Sequence, residues 1–189
     1  MRTTTSTLIT LCGLALLAAC GGTDNSTGSA EDSVAAERIH AMEESLYAKP
    51  NVDMKQAQAL LDVYMLYAKT HPLDSLTPEY IFRAASMKTS LGDPQGAITL
   101  YDRIIGNYPH WSKLPDAFYL KAFTIDNGLH EKGAAQQAYQ EVINRFPDHR
   151  FAADAKQMIA NMQYSDEELV KKFEAMNADS TKAEATAGK

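Results

Sequence analysis

The amino-acid sequence predicts an all-α fold built from antiparallel helix pairs. Three observations carry that expectation. Residues 64–72 (YMLYAKTHP), 101–109 (YDRIIGNYP) and 139–147 (YQEVINRFP) align at spacings of 37 and 38, each opening on Tyr and closing on Pro. A fixed period of that size marks an array of one repeated supersecondary unit. The composition leans the same way, with 28 Ala and 17 Leu against 5 Val and 9 Ile. Ala and straight-chain residues lose less freedom in a helix than β-branched ones. Punctuation follows the period too, with Pro where first turns would begin and Gly where helices would stop.

The chain opens on an export leader, residues 1–19. Arg2 supplies the positive start, and residues 8–19 form an uncharged apolar run shorter than the roughly 20 residues a membrane-crossing helix needs. Leu17-Ala18-Ala19-Cys20 resembles the lipobox of bacterial lipoproteins. That resemblance implies cleavage before Cys20, a diacylglyceryl group on its thiol and a membrane anchor of several acyl chains. Cys12 would leave with the leader, so no thiol, disulfide or cysteine metal site would remain. Gly21 following the cysteine implies, within the same resemblance, sorting to the outer membrane. Residues 20–32 carry the lipidated Cys and a run with no apolar side chain larger than Ala. They read as a flexible tether of about 17–21 Å root-mean-square span.

The repeat domain is expected over residues 33–177, as eight helices. The first spans 33–48, with Ser33 as its N-cap, and the second 54–70, after Asp53 as N-cap. The third spans 78–91 and ends before Gly92; the fourth, 94–107, carries Pro94 in its first turn. The fifth spans 115–127, opened by Pro115 and closed by Gly128. The sixth and seventh follow at 131–145 and 150–163. The eighth, 166–177, starts at a Ser165–Glu168 capping box. Small residues at Ala85, Ala97, Ala122 and Ala135 would let helices approach, and Tyr101, Ile104, Phe118, Ile125, Tyr139, Val142 and Phe146 would fill the space. The last pair is more polar, as a capping repeat should be. Residues 178–189 are small and polar and read as a disordered tail.

These residues resemble the tetratricopeptide repeat. Ala97, Tyr101, Ile104 and Pro109 match its second-helix pattern, as do Ala135, Tyr139, Val142 and Pro147; Leu60, Tyr64, Tyr67 and Pro72 match less closely. Ala85 and Ala122 take the small first-helix position, whereas Lys88 and Lys121 stand where the family carries an aromatic and a Leu. The resemblance implies a right-handed superhelix whose concave face is lined by the first helix of each pair. Carried onto this chain, the inner positions are Glu79, Phe82, Arg83 and Ser86 in one pair and Asp116, Tyr119, Phe123 and Asp126 in the next. These eight form a candidate protein-binding groove. Their aromatics would hold an extended peptide or a partner helix; alternatively, Phe82 and Phe123 pack against neighbouring helices. Trp111, just after Pro109, reads as the cover of a helix end rather than a partner anchor.

Reactive constellations are missing from the sequence. It has no phosphate loop, His-Glu-x-x-His, Cys-x-x-Cys, Gly-x-Ser-x-Gly or EF-hand loop, so no catalytic, metal or cofactor residue is assigned. The net charge is −6, from 24 acidic and 18 basic residues, without a basic run; this speaks against nucleic acid as a partner. His71, His110 and His149 recur beside the repeat prolines and read as turn residues carried by duplication rather than ligands or pH sensors. Asp-Ser dipeptides at 32–33, 74–75 and 179–180 resemble a bacterial O-glycosylation pattern.

Lipobox and repeats together resemble the anchored repeat proteins of the bacterial envelope, of the BamD and CpoB type. The implied function is a lipid-anchored, periplasm-facing scaffold at the outer membrane that binds other envelope proteins in its concave groove. Its acidic balance would favour basic partner segments. The alternative is an enzyme or substrate-binding lipoprotein of cell-wall or carbohydrate metabolism, which needs a cleft with convergent titratable groups.

Overall fold

The computed structural model describes residues 26–48, 50–51, 53–165, 167–172, 174–175 and 177. The leader, Cys20 and the tail 178–189 lie outside the described residues. Among the described residues seven α-helices run in order: α1 (Ser26–Tyr47), α2 (Met54–Thr70), α3 (Thr77–Ser90), α4 (Pro94–Asn107), α5 (Leu114–Leu129), α6 (Lys132–Arg145) and α7 (Arg150–Asn161). Residues 167–172 are helical as well. Among the described residues there is no strand, and no helix long and apolar enough to cross a membrane.

The fold is all-α and tetratricopeptide-like. Each helix packs chiefly on the next in sequence, and α5 also touches α3 and α7, so these three share one layer. Short connections enforce this arrangement, because helices joined by a few residues can only fold back on their neighbours. The helices from α2 to α7 begin and end within two residues of the sequence expectation. Their caps explain why. Asp53 accepts the backbone N–H of Lys55 and Gln56, Asp93 accepts that of Gly96, and Ser165 and Glu168 exchange reciprocal bonds across the expected capping box. Gly92 turns the chain between α3 and α4 at φ +80°, a conformation that costs an L side chain about 1–2 kcal/mol.

Burial follows the repeat. Tyr64, Tyr101 and Tyr139 are fully buried, and Ala85, Ala97, Ala122 and Ala135 have no exposed surface at all. Ile104, Phe118, Ile125 and Val142 are buried as expected, and half-buried Phe146 meets Phe118 edge-on at 5.3 Å between ring centres. The two lysines that depart from the repeat pattern have found other work. Lys88 Nζ lies 2.5 Å from Asp93 Oδ2, and Lys121 Nζ lies 2.6 Å from Asp102 Oδ1. Each spans to a carboxylate on or next to α4, in place of a packed side chain. Arg103 Nη2 donates to the carbonyl of Ala68 and the Tyr108 hydroxyl to that of Pro72. The first satisfies a last-turn acceptor of α2, which a helix C-terminus leaves open, and the second ties the end of α4 to the turn after α2.

Two expectations are corrected. Helix α1 begins at Ser26, not Ser33, so residues 26–32 belong to the helix instead of the tether, and Ser33 lies inside the helix and is not its N-cap. Ser and Thr cost only a few tenths of a kcal/mol each in a helix, and extending an existing helix avoids the nucleation cost. Gly128 does not close α5. The helix runs on to Leu129, and His130 takes the left-handed position at φ 57°. Gly128 instead marks a close approach, because a Cβ there would stand 2.6 Å from Pro94 Cβ at the start of α4.

Candidate protein-binding groove

On α3, Glu79, Phe82, Arg83 and Ser86 follow one another at helical spacings of three and four, which places them on one face. The structure brings all four to a single groove of about 550 Å³ between the end of α1, the start of α2 and α3. Its floor is apolar, with Leu46, Ala57, Phe82 and Met87, while Tyr47 and Met54 stand exposed at its lip. Phe82 serves both roles that the sequence left open. It is half-buried, its ring edge-on to Tyr101 at 5.9 Å and to Trp111 at 5.4 Å, and it also lines the groove. Trp111 is half-buried and packs against the apolar core shared by α1–α4, as expected of a helix-end cover.

A chain of charges ties the groove together. Glu43 Oε1, on α1, accepts both Arg83 Nη1 and the Tyr64 hydroxyl at 2.5 Å. Glu79 Oε1 accepts Arg83 Nε at 3.0 Å, and Glu79 Oε2 accepts Lys113 Nζ at 2.8 Å. Burial pushes the Glu79 carboxyl up, but the hydrogen bonds and charges of Lys113 and Arg83 together hold it below its ordinary value. The Arg83 guanidinium is raised: burial works against its charge, and the two carboxylates outweigh burial. Burial, then the bond to Glu43, raises the Tyr64 phenol.

Glu43 and Lys113 are the charged members of this network that sequence reasoning missed, as it missed the apolar lining from Leu46, Met54, Ala57 and Met87. Glu43 had a signal, since an acid between Ile39 and Leu46 interrupts the apolar stripe of α1. Lys113, in the turn before α5, had none.

Residues of the second expected set do not line this groove. Tyr119 stacks on Phe151 of α7, with ring centres 4.3 Å apart and planes 8° from parallel, and lies 6.5 Å from Phe123. Phe123 is exposed, and Asp116 and Asp126 are half-buried. Burial raises the Asp126 carboxyl. The three repeat tyrosines differ in one respect. Tyr64 donates to Glu43, and the Tyr101 hydroxyl lies 3.4 Å from Ser86 Oγ. The Tyr139 hydroxyl is buried with no hydrogen-bond partner among the described residues. Tyr64→Phe is therefore expected to cost about 1.5–3 kcal/mol, the worth of a bond to a charged group, whereas Tyr139→Phe is expected to be neutral or stabilising because it removes an unmet donor. Urea denaturation of both variants reads the contrast, and equal losses would contradict it.

His71, His110 and His149 lie in the connections between helices, whereas His40 lies within α1. His149 Nδ1 accepts the N–H of Phe151 at the start of α7, and the His71 ring stacks on Tyr67 at 4.5 Å. Among the described residues no group of three or more His, Cys, Asp or Glu could hold a metal ion. Ser75 is exposed beside Asp74, whose carboxylate accepts the N–H of Leu76.

Comparison with known proteins agrees with this architecture. The tetratricopeptide repeat family model matches residues 79–110, covering α3 and α4. Over 140 residues the chain is 28% identical to the outer membrane protein assembly factor BamD of Xylella fastidiosa strain 9a5c, an alignment covering 64% of this chain and 48% of that one. The protein of the same name from strain Temecula1 / ATCC 700964 is also 28% identical, covering 64% and 47%. The chain spans about half the length of the curated relatives it matches. Its helix pairs therefore form an all-α array that carries a tetratricopeptide repeat and is similar to BamD-type assembly factors.

Proposed function

We propose that this protein is an interaction scaffold of the bacterial outer membrane, held there by lipid on Cys20 and facing the periplasm. Its groove between α1, α2 and α3 captures a segment of another envelope protein during outer-membrane assembly. The observation that carries the reading is the groove itself: an apolar floor flanked by helices that a continuous ion-pair chain holds in register. Preorganisation of this kind lowers the ordering cost of binding. The similarity to the Xylella assembly factors supports the choice of process. Glu43 and Glu79 are engaged by Arg83 and Lys113, so they act as structural acceptors, which favours binding over acid–base chemistry. The second expected set, Asp116, Tyr119, Phe123 and Asp126, extends the same concave layer along α5.

Photo-crosslinking in cells tests this reading. A crosslinking residue at Ser90, on the groove, should capture an envelope protein; one at Thr99, exposed on α4, should not. Phe82→Ala should reduce the Ser90 product, and Cys20→Ser should release the protein from the membrane fraction. Equal capture from both positions would sink the groove reading.

A further inference from the structure

We infer that the groove selects a partner segment that is acidic as well as apolar; this rests on the reading of the groove as a protein-binding site. The chain as a whole is acidic, at −6, and net charge alone would favour a basic partner. Which half of each ion pair faces solvent decides otherwise. At the groove the cation is the outer half. Arg83 is 43% exposed and Lys113 48%, while Glu43 and Glu79, which they cover, are 16% and 19% exposed. On the α4 side the order reverses, and Asp93 and Asp102 are more exposed than their lysines. The groove therefore turns its donors outward, whereas the two pairs at α4 turn their acceptors outward.

The hydrogen-bond inventory agrees. Both oxygens of Glu79 accept, and Glu43 Oε1 accepts twice. Arg83 uses Nε and Nη1, and Lys113 uses one of its three N–H bonds. Donor capacity is left on the cations, and a carboxylate is the acceptor that uses it best. Two further acids, Glu37 and Glu44, line a neighbouring cavity that shares Glu43, Glu79 and Arg83 with the groove, and there Glu44 lies 3.6 Å from His40. The occupant is thus a segment that places a bulky apolar side chain on Leu46, Phe82 and Met87, with Asp or Glu beside it at Arg83 and Lys113. Met87 and Met54 can adapt to the shape of the apolar anchor.

Selection of a random dodecapeptide phage library on the full chain in detergent tests the inference, with Phe82→Ala as the counter-selected variant. Enriched peptides should carry Asp or Glu next to Phe, Leu or Met. Lys113→Gln, a change at an exposed side chain outside the core, should weaken the best peptide by about tenfold, the loss of one charge-assisted bond. Added salt should weaken it further. Far-UV circular dichroism confirms that the helices are retained. Enriched peptides that are basic or uncharged, yet still lost on Phe82→Ala, would overturn the acidic preference and leave the groove standing. No enrichment over Phe82→Ala would overturn both.

Discussion

Tyr101→Ala is expected to destabilise the protein by about 3–5 kcal/mol, the range for deleting a large buried aromatic. Tyr101 is 1% exposed and sits on α4, which packs on both α3 and α5. Its ring meets Phe82, and its hydroxyl reaches Ser86. In a repeat array the stability is a sum of unit and nearest-neighbour interface terms, and both of these partners lie on α3, so the deletion weakens the α3–α4 interface. Against a total stability of about 5–15 kcal/mol, that loss is expected to uncouple the α1–α3 part from the α4–α7 part. Urea denaturation followed by circular dichroism should show a lower midpoint and a broadened or two-step transition. A sharp transition at the original midpoint would refute the claim that Tyr101 holds the array together.

Gly128→Ala is expected to destabilise even though Ala is the better helix former. Inside a helix the exchange alone would gain about 1 kcal/mol. Here the new Cβ would meet Pro94 Cβ at 2.6 Å, on a ring fixed to the backbone at the start of α4. Overpacking of that kind costs about 1–3 kcal/mol, so the clash outweighs the propensity and leaves a net loss. Gly106→Ala is the control. Nothing lies within 4 Å of its added Cβ, and it should be neutral or gain up to about 1 kcal/mol. Thermal denaturation of the two variants should move in opposite directions, and a gain at Gly128 would show that α4 can shift away.

Much of the fold was legible in the sequence, because the features that set it are local. Asp53 and the Ser165–Glu168 pair announce helix starts by their own chemistry, and the Tyr64, Tyr101 and Tyr139 period marks the buried stripe. What misled was local chemistry overruled by neighbours. Residues 26–32 have the composition of a linker, yet they continue a helix whose other turns already pay for its nucleation. Gly128 looks like a helix stop, but its real constraint is Pro94, 34 residues away, and one letter stands for both meanings. The same division runs through the site. Spacings of three and four on α3 put Glu79, Phe82, Arg83 and Ser86 together. Glu43 is 40 residues from Arg83, and Lys113 is 34 from Glu79, so their meeting depends on the register between helices. Net charge alone implies a basic partner, but a sum cannot record which half of an ion pair faces outward.

An apolar core runs through the array, and the contacts added to it differ along its length. Glu43, Arg83, Glu79 and Lys113 join α1 to α3 and to the turn before α5, whereas α5 meets α7 through the Tyr119–Phe151 stack. Counter-ions weaken the first kind of joint, while ring stacking and apolar burial are indifferent to them or strengthened by excluded salts. Ionic strength is therefore a directional variable in this protein. Raising it loosens the amide protons of the leading helix ahead of those of α7, so fraying starts at the end that carries the groove.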